Sequence, residues 1–271
     1  MLEYQLVAPE NFSSEQNLFI QKFKKTIALF SFRTQFIFGA KDIESRHLIA
    51  TDAYAKIVGL SHGAEVGGKF DDEMPCEGTV QFAAAFVESD IALFDGRNIY
   101  KKVSKLCVHE YADGLKARLF DKYPLKHHAS QSILGLIYTA QEINISQFLA
   151  LVPNYLTEFG MGCELEGVHR HLVLGDVTLT DYEHEICFLL TLNWSNQQIA
   201  DFLNQHRPAA HIRGPERIDK YRERICRKLK LTLRGDDDLR ACLIHMGVHK
   251  KIPKLFFSRL VGPLKMRPPL L

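Results

Sequence analysis

Apolar residues recur along this chain at two periods, and the period changes twice. Phe12, Leu18, Phe19, Phe23, Ile27 and Phe30 follow one another at spacing that predicts a helix over 12–30. Short alternating segments come next, broken by Gly and Asp-Gly. TQFIF (34–38) and RHLIA (46–50) predict a hairpin around Lys41-Asp42. DAYAKIVGL (52–60) predicts a short helix stopped by Gly59, and TVQFAAAFVESDIALFDG (79–96) a longer amphipathic one. YKKVSKLCVHEY (100–111), LKARLFDKYPL (115–125) and SILGLIYTAQEI (132–143) predict three strands, the first two joined at Asp113-Gly114. Two strands, helices and three more strands make an α+β pattern with a five-stranded antiparallel sheet.

From residue 144 onward the period is helical. SQFLALVPNYLTEF (146–159) predicts a helix interrupted at Pro153, followed by a Gly-containing link. Thr180 with Glu183, and Ser195 with Gln198, are capping boxes. Each opens an apolar helical pattern: Ile186, Leu189, Leu190, then Ile199, Phe202, Leu203. A third helix starts after Gly214, with Pro215 suited to its first position. Two short helices and a third rich in Arg and Lys are the parts of a helix-turn-helix DNA reader, an all-α second domain. A further helix follows, with Asp236 to Asp238 as its cap, and the tail GPLKMRPPLL is expected to be loose. The boundaries so drawn are a helical cap 1–30, a sensory or dimerisation domain 31–144, a linker 145–176, the reader 177–234 and a helical extension with tail 235–271.

Overall composition is that of an ordinary soluble globular protein, and the net charge of +2 says little. Its distribution says more. Residues 204–234 hold ten Lys/Arg against three acids, a local +7, which leaves the rest of the chain at −5. One anion-binding module on a mildly acidic protein fits that asymmetry. The six Cys are scattered, with no CxxC pair, and Cys187 and Cys226 fall among apolar helix positions as buried thiols, which implies a reducing compartment. The first sixteen residues carry acids and no long apolar run, so no signal peptide is expected. No stretch reaches the ~20 apolar residues that span a bilayer. The expected location is the cytoplasm, with no membrane partner.

The third helix carries the candidate chemistry. At ~100° per residue, Ile218, Tyr221, Ile225 and Leu229 share one face and can bury against the other helices. Arg217, Lys220, Arg224, Arg227 and Lys228 form the adjacent basic stripe. Arg217 and Lys220, near the N-terminus, are best placed for bases; Arg224, Arg227 and Lys228 are assigned to phosphates. Arg207, His211 and Arg213 sit on the turn before it, and Arg213 joins the candidate DNA contacts.

Two families resemble these segments. AKDIESRHLIATDAYAKIVGL, EVGGKFDDEMP, ESDIALFDG, EYADGLKARLFDKYPL and ILGLIYTAQEI, about 110 residues in all, look like a PAS sensory domain in order and spacing. Residues 179–229 resemble the LuxR-type helix-turn-helix of bacterial regulators. Leu179, Thr180, Glu183, Ile186, Ser195, Asn196, Ile199, Ala200, Lys228 and Leu229 are among the matches. Asn193 stands where that family has Gly, and Asn also enters the left-handed conformation of a helix end. Two features depart. The turn NQHRPAAHIRG is roughly eight residues longer than the tight turn of this motif class, and Asp219 replaces a basic or polar DNA-facing residue.

The PAS resemblance implies a small-molecule ligand between sheet and helices. Phe38, Tyr54, Phe82, Phe86, Phe94, Phe120 and Tyr138 are its candidate pocket, although an aromatic at helix or strand spacing is more often plain core. Cys76 in EMPCEG does not match the GxNCRF motif of flavin-binding light sensors, and residues 79–96 lack the His that haem-binding PAS domains use. The cofactor is left unknown. His245/His249, His127/His128 and His169/His171 lack a Cys or carboxylate partner in register, so no metal site is expected. No GxSxG, Walker A or HExxH occurs, and an enzyme is not indicated. The reading is a transcription regulator that binds double-stranded DNA as a homodimer, its PAS-like domain sensing a small molecule or a partner. The alternative is a PAS-mediated interaction protein whose degenerate reader holds another regulator; a metal-dependent enzyme is a distant third.

Overall fold

The computed structural model describes residues 4–31, 35–94, 102–144, 155–159, 164–168, 171–207, 211–231 and 236–261. The chain divides into two units, Met1–Ile145 with Met161–Glu164, and Ser146–Gly160 with Leu165–Leu271. No helix among the described residues is long and apolar enough to cross a membrane.

The first unit opens with β1 (Gln5–Leu6) and α1 (Ser14–Ser31). The hairpin β2 (Ile37–Lys41) and β3 (His47–Ala50) follows, then α2 (Asp52–Ile57), α3 (Glu77–Val80) and α4 (Ala83–Leu93). The long strands β4 (Val103–Tyr111), β5 (Gly114–His127) and β6 (Ser132–Ile143) complete it. The order β4-β5-β6-β2-β3 is antiparallel throughout. The sheet exceeds the expected five strands: β1 adds in parallel to the start of β6, Gln5 opposite Ser132.

A bulge decides which residues face inward. Leu125 pairs with Gly135 and Lys126 with Ile133, so Leu134 is the extra residue of β6. The parity of β6 therefore flips there. Ile133, Leu136, Tyr138 and Ala140 join the core under α2–α4, while Leu134 and Ile137 turn to the opposite face, towards α1. Gly135 permits this fold, because a Cβ there would run into the Lys41 carbonyl oxygen.

Two expected helices need correction. The run 79–96 forms α3 and α4, with a break at Gln81-Phe82 that no Gly or Pro marks; Asp95 and Gly96 lie outside the described residues. Gly78 anchors α3, since its backbone lies against the Glu110 carbonyl too closely for a side chain. In α1 the inward positions are Gln16 and Ile20, with Phe19 and Phe23 half-buried, whereas Leu18 and Phe30 are exposed. Gln16 is buried because it does polar work. Its Oε1 accepts from the Ser13 N–H, and its Nε2 donates to Ser130 and Ser132.

The second unit is helical with short strands, which corrects the all-α expectation. It contains α5 (Tyr155–Phe159) and β7 (Glu164–Gly167). A hairpin of β8 (Leu172–Leu174) and β9 (Val177–Leu179) turns at Gly175, whose φ is 58°. That hairpin was legible in LVLGDVTL but straddles the expected boundary at 176/177 between linker and reader. The helices are α6 (Asp181–Thr191), α7 (Asn196–His206), α8 (Pro215–Lys228), α9 (Asp236–His245) and α10 (Lys254–Val261), with β10 (Lys251–Ile252) before the last. β10 pairs in parallel with β7. Helix α9 begins at Asp236 itself, so the three aspartates lie in its first turn instead of preceding it. The helix expected before Pro153, residues 160–163 and 169–170 of the link, and the tail lie outside the described residues.

Both capping boxes exist. Thr180 Oγ1 accepts from the Glu183 N–H and Glu183 accepts from the Thr180 N–H; Ser195 and Gln198 do the same. Asn193 takes a left-handed φ of 61° between α6 and α7. Helices α6, α7 and α8 pack together around Ile186, Leu189, Ile199, Leu203, Ile218 and Ile225, all fully buried. Cys187 is buried with them, and Cys226 is half-buried.

Candidate functional site

In the first unit, cross-strand pairing gathers polar groups on the sheet face under α2–α4. Lys122 pairs with Tyr138, Phe120 with Ala140, and Lys41 with Leu136, and paired residues share a face. Gly39 pairs with Tyr138, and a Cβ there would collide with the Tyr138 ring. The missing side chain lets the Tyr138 hydroxyl reach His47 Nδ1, 3.1 Å away. The result is a chain of buried contacts. Lys122 Nζ donates to Asp90 (2.6 Å), Lys41 Nζ donates to Asp90 (2.9 Å) and Asp71 (2.5 Å), and Asp71 contacts His47 Nε2 (3.0 Å). An ionised Asp71 only accepts, which assigns the His47 proton to Nε2 and leaves Nδ1 to accept from Tyr138.

Each group's electrostatics follows from its neighbours. Burial would lift the Asp71 carboxyl, but Lys41 and His47 hold it well below the usual carboxylate range. Burial acts on Asp90 in the same sense, and Lys122 and Lys41 outweigh it. The Lys41 amine, which burial alone would pull down, stays above its ordinary value because of Asp71 and Asp90. Burial keeps His47 neutral and raises both Tyr54 and Tyr138. Two lysines against two aspartates leave this network without net charge.

The network forms one wall of a cavity of about 40 Å³. One water needs roughly 10–15 Å³ by the same measure. Tyr54, Phe86, Phe120 and Tyr138 of the expected pocket line it; so do Ile57, Val58, Thr79, Cys107 and His109, which were not expected. Thr79 Oγ1 and His109 Nε2 are buried and have no hydrogen-bond partner among the described residues. His109 is neutral, pulled to about 4 by burial, with the Arg118 guanidinium adding to it. Three expected pocket residues lie elsewhere. Phe38 has the opposite parity to Gly39 and packs towards Phe23 and Phe36. Phe82 stacks behind His109, and Phe94 belongs to the core without lining the cavity.

In the second unit the basic residues of 204–234 separate into two groups. Arg217, Lys220 and Arg227 are exposed on α8, as are Glu216, Asp219 and Glu223, while Ile218 and Ile225 are buried. Arg224 Nε lies 3.2 Å and Lys228 Nζ 2.7 Å from the Glu183 carboxylate. These two lock the last turns of α8 to the first turn of α6. Glu183 is buried, which would raise it, yet the Lys228 hydrogen bond and the Thr180 cap hold it low. Arg213, expected as a DNA contact, is buried. Its guanidinium donates to the Leu203 carbonyl (3.1 Å) and lies over the Tyr182 ring, so it serves the fold. Arg222, absent from the expected stripe, is also buried and donates to Asn196 Oδ1 (2.9 Å). Asp219 is exposed, with Asn196 Nδ2 3.5 Å from its carboxylate.

No family model and no curated protein matches the chain. Solved structures do. A Vibrio cholerae VqmA dimer in the absence of target DNA, described among LuxR-type receptors, is 24% identical at a TM-score of 0.43. The match covers 86% of this chain and 91% of that one. A phage VqmA–DPO complex is 23% identical at a TM-score of 0.41, over 90% of this chain and 96% of that one. The PAS domain of Bordetella pertussis BvgS covers 48% of this chain with 93% of its own, at 15% identity and a TM-score of 0.38.

Sequence reasoning missed Lys41, Asp71, Asp90 and Lys122. One signal was available: Lys122 shares the parity of Phe120 in a strand that pairs on both sides, a position where an apolar residue is expected. Among the described residues no group of three His, Cys, Asp or Glu is arranged for a metal ion; His169 lies outside them.

Proposed function

We propose that this chain is a DNA-binding transcription regulator, acting as a homodimer, whose first unit takes up a small molecule. The observation that carries the reading is α8. Ile218 and Ile225 are fully buried against two helices with reciprocal caps, Tyr221 and Leu229 are half-buried, and Arg217, Lys220 and Arg227 are presented to solvent in the segment of charge +7. A rigid helix with a free basic face suits the major groove. The cavity, where Thr79 Oγ1 and His109 Nε2 have no hydrogen-bond partner among the described residues, supports ligand uptake. The exposed apolar residues Leu18, Leu29 and Phe30 of α1 support pairing of two copies. The test is equilibrium binding of the full chain to duplex DNA across salt concentrations. With about five phosphates engaged, log affinity should fall with log salt at a slope of roughly −4 to −5.

A second reading is an interaction protein with a degenerate reader. It is favoured by Asp219 on the exposed face and by the commitment of Arg213, Arg224 and Lys228 to contacts within the unit. No duplex binding at low salt, or a slope near zero, would select it.

A further inference from the structure

The long turn before α8 is held at one residue. The Arg213 N–H donates to Asn204 Oδ1 (2.9 Å) and its carbonyl accepts from Asn204 Nδ2 (2.9 Å), so one side-chain amide clamps both backbone groups. With the Arg213 side chain also bonded inward and Pro215 fixing the next φ but one, little freedom remains here. Arg213 points into the unit. Its neighbour Ile212 is 90% exposed, the highest value among the large apolar side chains described. A β-branched side chain beside a clamped residue loses little freedom when something packs against it.

The position selects the occupant. Ile212 stands three residues before Pro215, at the end of α8 that carries the exposed Arg217 and Lys220. Glu216 and Asp219 are exposed at the same end, and it is the charge of +7 over residues 204–234 as a whole that favours a polyanion; the apolar feature that duplex DNA offers in its major groove is the 5-methyl group of thymine. We propose that Ile212 reads a thymine by packing on that methyl group, beside the bases faced by the first turn of α8. The proposal rests on the DNA-binding reading above.

The full chain is used to select duplexes from a randomised pool. Each thymine of the selected site is then replaced by uracil, which removes only the methyl. One replacement should weaken wild-type binding about four-fold, equivalent to about 0.8 kcal/mol for one methyl-sized group. Ile212→Ser should weaken the thymine duplex by a similar factor and lose nothing more on the uracil duplex. Ile212→Val, still branched and apolar, should keep most of the discrimination. Salt slope and unfolding of the second unit, followed at Trp194, should not change. Equal uracil penalties for wild type and Ile212→Ser overturn the contact while DNA binding stands. Equal weakening on thymine and uracil duplexes with altered DNA bending points to a minor-groove wedge and overturns it as well. No duplex binding at low salt removes the underlying reading and this contact with it.

Discussion

Replacing Asp90 by alanine should bring the first unit close to unfolding. Asp90 is fully buried and holds two ammonium groups, Lys122 at 2.6 Å and Lys41 at 2.9 Å. Without it Lys41 keeps Asp71, while Lys122 is left with the Ser89 hydroxyl at 3.2 Å. Breaking a buried pair strands a charge and costs about 3–5 kcal/mol, against a total stability of about 5–15 kcal/mol. At a urea m-value of about 2 kcal/mol/M, the midpoint should fall by roughly 1.5–2.5 M. Trp194 is the only tryptophan and lies in the second unit, so its fluorescence does not follow this change. Hydrogen exchange of β5 and β6 peptides across a urea series does. Adding Lys122→Met removes the stranded ammonium and should restore at least half of the lost midpoint. The deficit should also depend on pH in one direction. Asp71 and Asp90 are held below their ordinary values, so their contribution is complete above the unfolded carboxyl pKa near ~4 and disappears only as pH falls below it. The gap between wild type and Asp90→Ala should be flat from pH 8 to 5 on this scale and close in stronger acid. A midpoint shift under about 0.5 M, or no rescue by Lys122→Met, would refute the account of the network.

The second unit offers four further tests. Arg213→Ala should destabilise it by about 2–4 kcal/mol, since hydrogen bonds of a charged donor are worth about 1.5–3 kcal/mol each. Arg217→Ala should leave unfolding within about 0.5 kcal/mol and cost about 1–3 kcal/mol on a selected duplex; equal unfolding curves for the two variants contradict the burial of Arg213. Arg227→Ala should weaken specific and random duplexes alike and reduce the salt slope by about one unit, and an unchanged slope would place Arg227 off the phosphates. Burial lifts the Glu185 carboxyl to about 7 even with Arg207 at 2.5 Å opposing it. A carboxyl raised on folding contributes most below its unfolded pKa and less as pH rises through its folded one. Wild type should therefore lose stability relative to Glu185→Gln between about pH 4.5 and 7 and no further above that, read from Trp194 fluorescence in urea; parallel pH curves count against it.

What could be read beforehand was what is written locally. Thr180 with Glu183 and Ser195 with Gln198 act across three residues, so each cap was visible in the letters, as were Asn193 as a left-handed helix end and the inward Ile218 and Ile225. What escaped depends on separation. Lys41 meets Asp71 and Asp90 across 30 and 49 residues, and Lys228 meets Glu183 across 45. No window of helical or strand length contains such a pair, so a buried lysine reads as a solvated one. Strand parity has a related limit. An alternating pattern predicts faces only while the register holds, and the extra Leu134 reverses it in mid-strand. The candidate DNA surface shows the same limit. Counting charge found the +7 segment, yet Arg213, Arg222, Arg224 and Lys228 hold the unit together, and the free basic face narrows to Arg217, Lys220 and Arg227. Charge counted along a helix is an upper bound on charge available to a ligand, because the residues that fasten the helix in place are drawn from the same set.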